Sequence, residues 1–173
     1  MTGEHRRRVK EIYTSAFEKR DRMPFAMMSL MSCLPSTDLL CFCDGETVCG
    51  FVYTASLGNV SFIMFFAVDE ALRSKGYGGR ILDIMQARRP GNKIIVTIER
   101  CLPDAPDLEQ RQRRRAFYLR CGYAPTGYLI KLGNATQEVL IKNGEFNKRE
   151  FAWFFLRYSN FTMLPRIWRE DEA

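Results

Sequence analysis

The segment Phe65 to Arg80 limits this chain's fold more than any other: Phe-Phe-Ala-Val-Asp-Glu-Ala-Leu-Arg-Ser-Lys-Gly-Tyr-Gly-Gly-Arg. It predicts an apolar strand, a loop carrying Arg73, Lys75, Gly76, Gly78 and Gly79, and then a helix. Glycine permits positive φ and lets a ligand approach the backbone closely. The first N–H groups of a helix have no intrahelical acceptor and favour negative charge. Strand, glycine loop and helix in that order suit a phosphate.

The next elements follow by period and punctuation. Ile81, Leu82 and Met85 give the helix after the loop its buried face, and Pro90-Gly91 stops it. Lys93 to Glu99 is a β-branched strand, so the strands on either side of the helix form a parallel crossover. Upstream, residues 4–20 read as a helix with Val9, Ile12, Tyr13, Ala16 and Phe17 on one face. Pro24 then opens a short methionine-rich helix over Phe25 to Met31. Leu39–Cys43 and Val48–Tyr53 read as a hairpin around Asp44-Gly45, and Gly58-Asn59 turns the chain into a strand over Val60 to Val68. Downstream, residues 107–120 are helical and end at Gly122. Residues 125–132 and 137–142 are strands around a Gly133-Asn134 turn. Asn147 and Glu150 form a capping box for a helix bearing Phe151, Phe154, Phe155 and Tyr158. The tail from 159 to 173 has no strong period. The economical reading is a single α+β domain over residues 1–173.

The totals bound the function classes. No apolar run approaches membrane-spanning length, and no secretory pattern opens the chain, which predicts a soluble cytoplasmic protein without a membrane partner. Most of the six cysteines fall in apolar runs, as reduced, buried cysteines do, and Cys41-x-Cys43 lacks the Cys-x-x-Cys spacing of zinc and redox sites. His5 is the only histidine, which argues against His-rich metal centres and Ser-His or Cys-His triads. No metal is expected. A general base is then a carboxylate, a tyrosine or water. The net charge of +6 favours an anionic partner. No recognition helix or exposed aromatic motif points to nucleic acid.

Two motifs in order carry a family resemblance. Arg73-Ser74-Lys75-Gly76-Tyr77-Gly78 is similar to the pyrophosphate pattern of the GNAT-type N-acetyltransferase superfamily, whose members move acetyl groups from acetyl-CoA to amines. Arg115-Ala116-Phe117-Tyr118-Leu119-Arg120-Cys121-Gly122-Tyr123 resembles that family's downstream Phe-Tyr…Gly-Phe segment. The resemblance is clearest over about residues 45–130. It implies a mixed, mostly antiparallel twisted sheet flanked by helices in three layers, with a splayed pair of parallel central strands.

It also implies roles. Backbone N–H groups of Arg73, Ser74, Lys75, Gly76, Tyr77, Gly78 and Gly79 would bind the CoA pyrophosphate, with Arg73 and Lys75 adding charge. Phe66, Ala67 and Val68 would lie along the pantetheine arm in strand fashion. Tyr118 would protonate the departing thiolate. Glu99, at the end of its strand, is a candidate base for the amine, ranked above Asp69 and Glu70. The arginines at 111, 113, 114 and 115 read first as a solvated helix face; the second reading gives Arg114 or Arg115, Arg115 ahead, a contact with the CoA 3′-phosphate, or makes the face a surface for an acidic partner. A small-molecule or peptide amine is the expected acceptor. A non-catalytic CoA-binding module is the alternative function, and a homodimer is compatible with the sequence.

Overall fold

The computed structural model describes residues 1–132 and 135–172; the expected Gly133-Asn134 turn lies outside them. The described residues form an α+β fold of five α-helices and a mixed, mostly antiparallel seven-stranded sheet. They fall into two compact units: Met1–Ser56 with Ile63–Pro90, and Leu57–Phe62 with the chain from Gly91 onward.

In the first unit, α1 (Gly3–Ala16) is capped by Thr2, whose Oγ1 accepts from His5 N at 3.2 Å. The helix stops four residues short of the expected end. Phe17 is extended, and Lys19–Asp21 form a 3₁₀ turn. The apolar stripe ends here in a charged run, and Arg22 Nε takes the Phe17 carbonyl at 2.6 Å. The second helix, α2 (Phe25–Met31), follows Pro24, which sits at the cap rather than inside the first turn. The hairpin is longer than its sequence pattern suggests: β1 (Thr37–Asp44) pairs antiparallel with β2 (Thr47–Leu57). Thr54 and Ser56 are buried in β2, and their polarity hides its last four residues from the pattern. Next comes β3 (Val60–Val68), with the expected bounds, then α3 (Tyr77–Arg88).

Val9, Ile12 and Tyr13 of α1 and Met28 of α2 pack with Val48, Phe51 and Tyr53 of β2 and Ala67 of β3. Burial of this apolar surface is the main favourable term for the unit. The adjacent β2 position, Gly50, has the opposite strand orientation. A Cβ built there lies 3.1 Å from Ile81 Cδ1 of α3 and 2.5 Å from the Ala67 carbonyl oxygen. Only a residue without a side chain fits beside that backbone.

In the second unit, β4 (Lys93–Glu99) begins where Lys93 N donates to the Asn59 carbonyl at 2.8 Å. The starts of β3 and β4 are therefore side by side, and the strands are parallel. Antiparallel pairing continues from β4 to β6 (Ala135–Lys142), to β5 (Ala124–Leu132), and to β7 (Arg166–Arg169). The last strand corrects the expectation of a patternless tail. Four residues are too few to display alternation, and the edge of β5 supplies the hydrogen bonds that make them a strand. Between β4 and β5 runs α4 (Leu108–Arg120), and α5 (Lys148–Tyr158) precedes β7. Phe151 and Phe155 of α5 meet Phe62 at centroid distances of 5.3 and 5.4 Å. Asn147 Oδ1 caps α5 through Arg149 N and Glu150 N. The Glu150 carboxylate is drawn instead to Lys93 Nζ at 2.8 Å. Among the described residues no helix is long and apolar enough to cross a membrane.

Candidate active site

The phosphate-loop candidate lies in the first unit. Phe66, Ala67 and Val68 are the last residues of β3, and Asp69 N donates to the Cys49 carbonyl at 2.8 Å as the chain leaves the sheet. Asp69 is buried; its Oδ1 accepts from Ala71 N at 3.1 Å, and its Oδ2 accepts from Arg8 Nη2 of α1. Arg8 also donates to Glu11 at 2.9 Å. This brace at the root of the loop escaped the sequence reading, because an arginine on a charged helix face carries no local sign of a partner 61 positions away. It employs Asp69 structurally.

Arg73, Ser74, Lys75 and Gly76 form the exposed loop. Ser74 (φ 63°) and Gly76 (φ 82°) are both left-handed, and Gly76 is the N-cap of α3. That conformation costs a residue with a Cβ roughly 1–2 kcal/mol. No side chain caps α3, so Tyr77, Gly78 and Gly79 open a helix whose first N–H groups lack a side-chain acceptor. The Tyr77 hydroxyl donates to Asp44 Oδ2 at 2.8 Å, tying the helix start to the β1–β2 turn. Arg73 is exposed, with the Glu70 carboxylate 3.8 Å away. An uncapped helix start, a left-handed glycine and nearby exposed cations fit a phosphate in charge and shape.

The acid–base candidates lie in the second unit, on α4 and the end of β4. Only Tyr118 of α4 is buried. The face of α4 that meets the sheet is built from arginine. Arg111 donates to Asp107 at 2.7 Å and to the Arg100 carbonyl at 3.0 Å. Arg114 Nη1 donates to Glu99 Oε2. Arg115 holds Glu138 of β6 through contacts of 3.0 to 3.3 Å. Arg113 alone of the four is largely exposed, with its partner Glu109. The solvated-face reading is thus corrected for positions 111, 114 and 115, whose charges dock the helix. The Arg115 guanidinium is already engaged by a carboxylate.

Tyr118 is held by the way α4 ends. Tyr123 N donates to the Tyr118 carbonyl at 3.1 Å, and Gly122 N donates to the Leu119 carbonyl at 3.0 Å. Gly122 has φ 83°. This is a Schellman cap with its usual apolar contact, here the edge-on rings of Tyr118 and Tyr123 at 5.3 Å. Burial pushes the Tyr118 phenol well above its ordinary value; the Arg114 charge opposes this and Glu99 adds to it. For Glu99 burial acts upward, but the Arg114 hydrogen bond and charge prevail and hold its carboxyl below the ordinary range. Arg100, the next residue along, donates to Glu170 at 3.1 Å. A cleft of about 200 Å³ is lined by Arg100, Cys101, Leu102, Arg115, Glu138 and Glu170, and its charged groups are paired with one another.

The acetyltransferase (GNAT) domain model matches residues 36–125. No curated protein matches this chain in sequence. Among solved structures, a GNAT-family acetyltransferase structure from Bacteroides thetaiotaomicron is similar at TM-score 0.68 and 18% identity, covering 92% of this chain and 91% of that one. An aminoglycoside 6′-N-acetyltransferase complexed with coenzyme A is similar at TM-score 0.66 and 15% identity, over 82% of this chain and 91% of that one. Ard1 from Thermoplasma volcanium is similar at TM-score 0.61 and 17% identity, over 82% and 93%. At these identities the structures speak to the fold, while the domain match spans more than half of the sequence. Fold and sequence match together show that this chain belongs to the GNAT acetyltransferase family.

Proposed function

We propose that this protein transfers the acetyl group of acetyl-CoA to a primary amine of a small molecule or peptide, by direct attack and without a covalent enzyme intermediate. The observation that carries the reading is the uncapped start of α3 behind the left-handed Gly76. Backbone N–H groups from Arg73 to Gly79 bind the pyrophosphate, Arg73 and Lys75 add positive charge, and Phe66, Ala67 and Val68 offer strand-type hydrogen bonds to the pantetheine arm. The engagement of Arg115 with Glu138 speaks for a structural role over the 3′-phosphate contact.

Tyr118 supplies the proton. The neutral amine forms a bond to the thioester carbon, giving a tetrahedral intermediate; the C–S bond breaks, the thiolate receives the phenol proton, and the proton the nitrogen sheds on becoming an amide passes through water to restore the Tyr118 phenol. Burial acts on both partners of this transfer, weakening the phenol as an acid and strengthening the thiolate as a base. A phenol kept neutral by a dry site retains its proton until a thiolate appears, and the same desolvation raises the basicity of that thiolate. The amine must first lose its own proton. Glu99 is the candidate acceptor, directly or through water, although Arg114 lowers its basicity.

Tyr118→Phe tests the reading. Phenylalanine keeps the ring packing and removes the proton. The expected result is a fall in kcat of about 10²–10⁴-fold in thiol release, with acetyl-CoA affinity by calorimetry unchanged. If wild type binds CoA but releases no thiol with any of a panel of amines, polyamines, aminoglycosides and peptides, the non-catalytic binding module is the better reading.

A further inference from the structure

None of the six cysteines is in a disulfide, and only Cys49 is buried, which corrects the expectation that most would be core residues. Two of the accessible thiols are neighbours. Cys41 and Cys43 lie two apart on β1, with Sγ atoms 3.7 Å apart. His5 faces them from the first turn of α1: one of its ring nitrogens and the two sulfurs all lie within 4.8 Å of one another. The placement follows from the core of the first unit. Val9, Ile12 and Tyr13 form the buried stripe of α1, and His5 extends it by one turn. Leu39 and Cys41 pack against that same cluster from β1, and Cys43 continues their face. The register shift between Phe42↔Gly50 and Cys43↔Val48 leaves Cys49 of β2 as the extra residue, a bulge opposite this end of β1 that increases the local twist of the pair.

We propose that His5, Cys41 and Cys43 form a binding site for one thiophilic cation of the Zn²⁺ class, through one imidazole nitrogen and two thiolates, with the fourth position taken by water or an external ligand. Tetrahedral zinc with Zn–S of about 2.3 Å sets its sulfurs about 3.8 Å apart, the separation already present here. With Zn–N near 2.0 Å, sulfur and nitrogen stand about 3.5 Å apart, so separations of no more than 4.8 Å close with a shortening of at most about 1.3 Å. Thiolate and imidazole donors select zinc over magnesium and calcium. Binding releases two thiol protons and joins α1 to β1 through the ion. A disulfide is the competing fate. Two residues along a strand separate Cα atoms by about 6.6 Å, at the upper edge of disulfide geometry, which disfavours that bond.

The test uses the full-length, reduced, chelator-treated protein. Titration with Co²⁺ is expected to give one equivalent bound, with a thiolate-to-cobalt charge-transfer band that Zn²⁺ abolishes by displacement. Cys43→Ser, Cys41→Ser and His5→Ala each lower Zn²⁺ affinity, read against a chromophoric chelator. The loss exceeds the roughly 10–100-fold that follows removal of an outer-shell partner. Cys33→Ser leaves affinity unchanged. Zn²⁺ raises the Tm of wild type in a concentration-dependent way, Mg²⁺ does not, and Cys43→Ser abolishes the effect. Circular dichroism and CoA calorimetry confirm that the variants fold. No charge-transfer band, full affinity in His5→Ala, or equal loss in Cys33→Ser overturns the assignment. So does a thiol count showing a Cys41–Cys43 disulfide under reducing conditions.

Discussion

A methyl group added at Gly50 meets the end of β3 before it meets anything that can yield. The Cβ of Gly50→Ala lies 2.5 Å from the Ala67 carbonyl oxygen and 3.2 Å from Val68 Cα, both backbone; only Ile81 Cδ1, at 3.1 Å, belongs to a side chain. An ordinary carbon–oxygen contact is about 3.3 Å, so β2 and the end of β3 must part by about 0.8 Å. The next link, Asp69 N to the Cys49 carbonyl at 2.8 Å, resists that movement. Overpacking of this kind costs about 1–3 kcal/mol, less roughly 0.5–1 kcal/mol recovered because alanine loses less backbone entropy than glycine. With two backbone atoms in the way the cost falls in the upper part of that range, so the net expectation is a destabilisation of about 1–2.5 kcal/mol, read in urea as a lower midpoint at constant m-value. The displaced residues, 66 to 68, lead directly into the glycine loop, so CoA affinity by calorimetry falls as well. Gly91→Ala is the control, since its Cβ has nothing within 4 Å and its φ is not positive. If Gly50→Ala matches Gly91→Ala within about 0.3 kcal/mol and binds CoA like wild type, the claim that β2 positions the loop by backbone contact is wrong.

Three further outcomes follow from the second unit. Arg115→Met strands the Glu138 carboxylate, whose side chain is 13% exposed, and costs about 1–3 kcal/mol in urea denaturation; Arg115→Met with Glu138→Leu recovers most of it. A loss of CoA affinity in the double variant would restore the phosphate role to Arg115. The Glu99–Arg114 pair gives a pH dependence of known sign. The Glu99 carboxyl is lower in the folded protein than its ordinary 4.5, so its stabilisation is present above that pH and disappears as pH falls through the folded value. The stability advantage of wild type over Glu99→Gln, about 0.5 kcal/mol because both side chains are more than a third exposed, therefore fades on acidification; an advantage growing toward low pH contradicts the pairing. The raised Tyr118 phenol keeps its proton throughout the working range, so kcat is expected to show no loss from its ionisation up to about pH 10.

Local sequence determined whatever local physics decides. The bounds of β3 and β4, the left-handed glycines at 76 and 122, and the buried triad Ile81, Leu82 and Met85 were all legible, because turn conformation and side-chain period are properties of a few neighbouring residues. The motif around Tyr118 and Gly122 was legible for the same reason: a Schellman cap is written in six residues. Tertiary structure alone decided which charges meet. Nothing near Arg114 or Arg115 in sequence names Glu99 or Glu138, and nothing near Arg8 names Asp69. It also decided that Arg166–Arg169 is a strand and that His5 stands over Cys41 and Cys43. Those features depend on partners brought in from distant positions, and a one-dimensional pattern carries the donors and acceptors without the distances between them.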